Sequence, residues 1–155
     1  MNNISVRQAQ VFDSKEVFLW RNDELTRKMS HLSDLVQWET HTEWYEHSIP
    51  LAQRLLLICE YPEEDVKVGM VRFDFDNEFA QATISINIAP EQRSKGYSKA
   101  CLHSAIAYVH AIYPECKELL AEIKRINKAS IHSFEGLGFK QKLEQADFSI
   151  YSLHL

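Results

Sequence analysis

The sequence predicts an α/β fold of the α+β type, in which a central mixed, mostly antiparallel sheet of about seven strands carries about four flanking helices. Three observations predict it. Between residues 54 and 89, three runs rich in strand formers follow one another with only short turn segments between them. The apolar period then changes from two to 3.6 after Arg93. Finally, the strand, helix, strand order that results has a length that suits a right-handed parallel crossover.

Each element has its own signal. ISVRQA (residues 4–9) alternates apolar and polar residues like a first strand, and Asp13-Ser14-Lys15-Glu16 reads as a capping box opening a helix that runs into Trp20. WETHTEWYEHS (38–48) places His41, Trp44, Tyr45 and Ser48 on one helical face before the stop at Pro50. RLLLICE (54–60), KVGMVRFDF (67–75) and ATISINIA (82–89) form an antiparallel meander. Leu102, Ala105, Ile106 and Val109 then mark an amphipathic helix over 98–112, ended by Pro114. LLAEIK (119–124) is a buried strand. Asn127 caps a short helix with Ile131 and Phe134 on its inner face, and Gly138 suits the left-handed position at its end. The tail FKQKLEQADFSIYSLHL supplies two more strands around a turn near Gln145-Ala146.

Bulk composition narrows the function. A chain of 155 residues with 45% apolar content suits one domain with a proper core. The net charge of −5 argues against a nucleic-acid partner. No segment looks like a signal peptide or a membrane span, so a cytoplasmic location and no membrane partner are expected. Cys59, Cys101 and Cys116 match neither a metal knuckle nor a redox pair, and the histidines lack zinc spacing, so no metal is expected.

One loop points to chemistry. Arg93-Ser94-Lys95-Gly96-Tyr97-Ser98 lies between a strand and a helix, where unpaired backbone amides meet the positive end of the helix dipole. That is a ready phosphate site. Gly96 lets a diphosphate approach the backbone, and Arg93 and Lys95 add positive charge. The alternative is an ordinary turn with a glycine and solubilising lysines.

The loop resembles motif A of the GNAT superfamily of acetyl-coenzyme-A-dependent N-acetyltransferases, [QR]-x-x-G-x-[GA], with Ser98 in place of the last small residue. NKASIHSFEGLGF (127–139) is similar to the family's N-x-x-[AS]-x-x-x-[YF]-E-x-x-G-F segment. LWRNDELTRKMS, WETHTEWYEHSI and the stretch 68–98, read together, are similar to the branch that acetylates nucleotide-linked amino sugars, as in pseudaminic acid biosynthesis. Ribosomal-protein acetyltransferases share the Arg-Asn-Asp segment.

The resemblance implies a GNAT fold with a splayed parallel strand pair and acetyl-coenzyme A as cosubstrate in the splay. Pantetheine would pair near Ile86 and Ile88, the diphosphate would sit on the 94–98 amides, and Asn127 and Ser130 would approach the pantetheine. Phe134 stands beside the coenzyme where many members place a tyrosine acid. The Ile88 amide is the implied oxyanion donor as the acceptor amine attacks the thioester directly. Glu122 is a candidate base and Asp74 a weaker one, the alternative for Glu122 being an exposed or salt-bridged strand acid. Arg21 and His41 match substrate-binding positions. Their alternatives are a surface salt bridge and a histidine packed on Trp44 and Tyr45. The acceptor implied is a small-molecule amine, on a nucleotide-linked amino sugar or, alternatively, on a ribosomal protein or peptide N-terminus. A non-catalytic coenzyme-A-binding domain is the alternative of a different class. A homodimer through the C-terminal strands is also implied.

Overall fold

A computed structural model describes residues 3–155. Seven strands, β1 Ser5–Gln8, β2 Arg54–Tyr61, β3 Val66–Phe75, β4 Gln81–Ile88, β5 Glu118–Lys124, β6 Lys140–Glu144 and β7 Phe148–His154, form one sheet in the order β1-β2-β3-β4-β5-β7-β6. Five α-helices flank it: α1 Ser14–Arg21, α2 Glu24–Met29, α3 Trp38–Ser48, α4 Tyr97–Ile112 and α5 Lys128–Glu135. Every strand and helix expected from the sequence is present, within a residue or two at each end.

Sequence pattern explains the two-sided core. β2 reads as a continuous apolar run because both of its faces are covered. Leu55, Leu57 and Cys59 join the cluster under α4 and α5, whereas Leu56 and Ile58 join Val17, Trp20 and Tyr45 from α1 and α3. A side chain as enclosed as Leu57, with no exposed surface, contributes about 1.5–3 kcal/mol through burial. All three cysteines are buried. A hydrogen bond with Cys101, together with burial, pushes the Cys59 thiol far above its ordinary pKa. It is an inert core residue.

Two expectations need correction. Asp13 does not cap α1 with its side chain. Its carboxylate is fully buried instead, accepting from both Nη atoms of Arg7 at 2.8 Å and from the Gln10 amide at 2.8 Å, with Lys67 Nζ 2.9 Å away. Long-range cations outcompeted the local cap. The second correction is α2, a six-residue helix with no fully buried residue and hence no apolar stripe to betray it. Its signal was there all the same, since Asp23 caps it by accepting from the Thr26 amide at 3.1 Å.

Among the described residues the only parallel pair in the sheet, β4 with β5, is short. Register runs from Gln81↔Glu118 through Ala82↔Leu119 to Thr83↔Leu120 and then stops, although β4 continues to Ile88 and β5 to Lys124. β5 meanwhile pairs with β7 along its whole length. A gap therefore opens in the middle of the sheet.

Candidate active site

Backbone alternation decides what faces the gap. The Ala89 amide bonds to the Val68 carbonyl at 2.8 Å, and Asp76 bonds to the Gln81 carbonyl at 2.9 Å, so odd-numbered residues of this stretch pair with β3. In an antiparallel ladder the intervening residues direct their amides to the other side. The amides of Ile86 and Ile88 thus point into the space that β5 has vacated. Gly69 lies opposite Ile88 in β3 and keeps the two backbones close.

A cavity of about 480 Å³ occupies the gap. Its walls are Ile86, Asn87 and Ile88 of β4, the loop of Gln92, Arg93, Ser94 and Gly96, the first turn of α4 at Tyr97 and Ser98, and residues Asn127, Ser130 and Ser133 of α5 and its cap. Leu25, Thr26, Met29 and Ser30, on α2 and just beyond it, close the remaining side. Gly96 is the N-cap of α4, with φ 77°. Ser94 is also left-handed, with φ 61°. Polar backbone at the dipole end of a sixteen-residue helix suits an anion.

The cavity's cations are fewer than the sequence suggested. Arg93 lines the wall, but its Nη2 is ion-paired with Asp23 and donates to Thr26 Oγ1 at 2.8 Å. Burial works against the Asp23 carboxylate, yet the bond from Arg93 and those from the Thr26 and Leu25 amides hold its pKa below the ordinary value. Arg93 thereby ties the loop to α2. Lys95 lies outside the wall and reaches Gln92 Oε1 at 3.3 Å. Asn127 caps α5, accepting from the Ser130 amide at 3.2 Å.

Phe134 gives the cavity no surface. Its side chain is 2% exposed and meets Phe139 edge-on, with ring centroids 5.0 Å apart. That side chain, expected beside the coenzyme, is packed in the core. Tyr108 lies outside the cavity wall, its hydroxyl accepting from Gln8 Nε2 at 3.1 Å. Tyr97 lines the wall.

The remaining candidates face the side of the sheet that carries α1 and α3. Glu122 on β5 is half-exposed, with Oε2 3.3 Å from Nε2 of His31. Asp74 is held between Arg54 at 2.7 Å and Arg72 at 2.8 Å. His41 is fully buried. Its Nε2 lies 3.0 Å from the Ser14 carbonyl, which only accepts, so Nε2 carries the proton and Nδ1 accepts from Arg21 Nη1 at 3.4 Å. Burial, with the Arg21 charge beside it, holds the imidazole pKa below its ordinary value. A neutral His41 packed on Trp44 and Tyr45 is therefore enclosed, and its one accepting nitrogen is turned to Arg21. Arg21 is partly exposed and lies over Trp44, 4.9 Å from the ring centroid.

Among the described residues no group of three His, Cys, Asp or Glu side chains could hold a metal ion, and no helix is long and apolar enough to cross a membrane. Residues 3–140 match the family model described as an acetyltransferase (GNAT) domain. Among solved structures, a spermidine N-acetyltransferase from Vibrio cholerae, in complex with CoA and spermine, superimposes with a TM-score of 0.89 at 16% identity, over 99% of this chain and 96% of that one. A domain from Methanocaldococcus jannaschii gives a TM-score of 0.84 at 26% identity, with 99% of each chain covered. An aminoglycoside acetyltransferase in complex with coenzyme A gives 0.83 at 12% identity, over 98% of this chain and 95% of that one. No curated protein matches the chain in sequence.

Proposed function

The chain belongs to the GNAT acetyltransferase family and is an acetyl-coenzyme-A-dependent N-acetyltransferase; from that premise we propose that it acetylates the primary amine of a nucleotide-linked amino sugar by direct attack on the thioester. The observation that carries the mechanism is the gap between β4 and β5, with the Ile86 and Ile88 amides turned into a cavity that ends at the α4 N-terminus.

The residues present fit the cosubstrate. The α4 N-terminus, with Ser94, Gly96, Tyr97 and Ser98, would hold the diphosphate, and the Ile86 amide would pair with the pantetheine as a missing strand does. Small residues on α5, Ser130 and Ser133, leave room for that arm. The bound thioester supplies an activated acetyl group. The Ile88 amide, rigid in β4 and beside a backbone it cannot leave, would stabilise the negative charge that builds on the acetyl oxygen as the amine attacks.

Proton transfer falls to Glu122 on this reading. It could take the amine proton directly or through water, since it projects from the strand that borders the gap. No tyrosine acid is required at Phe134. A thiol of ordinary pKa, about 8.5, leaves as a thiolate at modest cost near neutral pH.

The amino-sugar acceptor is supported by the similarity of the segments around Arg21, His41 and residues 68–98 to that branch of the family. The test is a panel. Incubation with acetyl-coenzyme A and separate UDP-amino sugars, peptides and polyamines should release thiol with the sugar nucleotides. Release with peptides or polyamines alone would replace this acceptor.

A further inference from the structure

We propose that Arg21, Arg54 and Arg72, gathered on the ring of Trp44, form an anion subsite that grips the phosphoryl part of the acceptor, a diphosphate diester. The proposal rests on the reading above that the acceptor is a sugar nucleotide, and it adds where and by what groups that acceptor is held.

Three elements far apart in sequence bring the cations together. Arg21 ends α1, Arg54 begins β2 and Arg72 lies mid-β3, with their guanidinium carbons 4.9, 5.6 and 5.4 Å from the Trp44 ring centroid. A cationic trio on one indole is held by ring attraction while its charges repel one another. Neutralisation is incomplete. Asp74 pairs with Arg54 and Arg72, and among the described residues no carboxylate lies within salt-bridge distance of Arg21. Three positive charges against the one negative charge of Asp74 leave two positive. A diphosphate diester carries two negative charges.

The arginines are also fixed in place. Neutral His41 accepts from Arg21 Nη1, and Ser48 Oγ accepts from Arg54 Nη1 at 3.0 Å. Burial and the Arg72 charge lower the pKa of Arg21, and burial together with Arg54, against the pull of Asp74, lowers that of Arg72. Such depression marks charges short of partners. They remain reachable, since the side chains of Arg54 and Arg72 are 21% and 30% exposed. Planar forks of this kind bind phosphoryl oxygens in pairs.

Position relates the cluster to the chemistry. Arg72 pairs across β3 and β4 with Ser85, which is exposed, and Ser85 precedes Ile88 by three residues, about 10 Å along a strand. A sugar ring and its glycosidic phosphate can span that interval. The cluster lies on the α1 and α3 side of the sheet, whereas α4 packs on the opposite side, so this subsite is separate from the one proposed for the coenzyme diphosphate. The same surplus charge disfavours a polyamine acceptor.

The experiment uses the protein saturated with coenzyme A, so that the α4 N-terminus is already occupied. Calorimetric titration with inorganic pyrophosphate and with UDP should show binding, and titration with spermidine should show none. Arg21→Gln and Arg72→Gln should each weaken pyrophosphate binding roughly tenfold or more, with coenzyme affinity and the thermal midpoint nearly unchanged. If Arg72→Gln does not fold, Arg72→Lys keeps the charge without the fork and should give a smaller loss. Pyrophosphate binding should also perturb tryptophan emission, and Trp44→Phe should abolish that signal. No anion binding to the coenzyme-saturated protein, or binding indifferent to both arginines, overturns the subsite. Equal affinity for succinate overturns its phosphoryl assignment. If pyrophosphate binds through the arginines but no UDP-amino sugar is acetylated, the acceptor reading fails and the subsite stands. If a UDP-amino sugar is acetylated with the same KM by Arg72→Gln, the subsite fails and the acceptor reading stands.

Discussion

Gly69 on β3 faces Ile88 on β4 so closely that a Cβ built on Gly69 would lie 2.4 Å from the Asn87 carbonyl oxygen and 3.0 Å from the Ile88 Cα. Both contacts are to backbone, which has little room to yield. Gly69→Ala should therefore shift β4 itself, the strand whose Ile86 and Ile88 amides face the gap. We expect a loss of about 1–3 kcal/mol in stability, as for other overpacked sites, and a fall in kcat beyond what the unfolded fraction explains. Denaturant melts and kinetics on the same preparation check both. A stable variant with full turnover would show that the position of β4 is not critical.

Gly96 poses the opposite case, since a Cβ there meets nothing within 4 Å among the described residues but the backbone is left-handed at φ 77°. Asparagine tolerates that conformation, whereas valine is strained by about 1–2 kcal/mol. Gly96→Asn should keep its melting temperature and still bind coenzyme A more weakly, because the new side chain projects where the proposed diphosphate site lies. Gly96→Val should lose both stability and affinity. Calorimetry on the asparagine variant is the decisive measurement, and unchanged affinity removes the loop from the coenzyme site.

Asp13 sets a pH dependence of folding. Burial opposes its charge, but hydrogen bonds from Arg7, the Gln10 amide and Lys67 bring its pKa from 3.8 down to about 2. A carboxylate with a depressed folded-state value stabilises the fold fully above its unfolded pKa and loses that contribution as pH falls through the folded one. Its contribution, about 2 kcal/mol at neutral pH, should thus vanish between about pH 4 and pH 2. Asp13→Asn should lower stability at pH 7 by a similar amount and flatten the curve in that window. Urea melts across pH 2–7 will show it, although Glu118, held near 2 by Ser152, Lys142 and Gln81, adds a parallel slope.

Phe134→Tyr tests whether the family's tyrosine position can be refilled here. The ring is buried against Phe139, so the added hydroxyl enters the core. It should cost about 1–3 kcal/mol if left without a partner, with no gain in turnover. A clear rise in kcat would place that hydroxyl at the leaving thiol after all.

Glu122→Gln should lower kcat/KM by roughly a hundredfold and remove the rise of rate with pH, if the carboxylate takes the amine proton. His31→Ala, which removes only its present partner, should do far less. Equal rates for Glu122→Gln and the parent protein would leave deprotonation to solvent.

Much of this protein is legible in local sequence. The strand formers of residues 54–89 and the helical spacing from Leu102 to Val109 act among neighbours a few positions apart, and the same is true of Asn127 capping α5 and of left-handed Gly138. A six-residue helix such as α2 escapes because it buries no full stripe, although its Asp23 cap was readable. What the order of residues could not convey is which charges meet. Arg93, read as positive charge for a phosphate, also carries Asp23, seventy positions away, on its guanidinium. His41, read as a substrate-side residue, is enclosed by α1 and Trp44, and Asp13, read as a cap, is met by Arg7 and Lys67. Even the divergence of β4 from β5 after Thr83, and the meeting of Arg21, Arg54 and Arg72 on Trp44, depend on how separate elements pack. Propensity and periodicity act over one or two turns of chain, whereas burial and Coulomb attraction act between whatever the fold brings together. Sequence alone therefore determined the elements and the glycine-bearing turn that opens α4, and tertiary packing decided the environment of every charged side chain at the site.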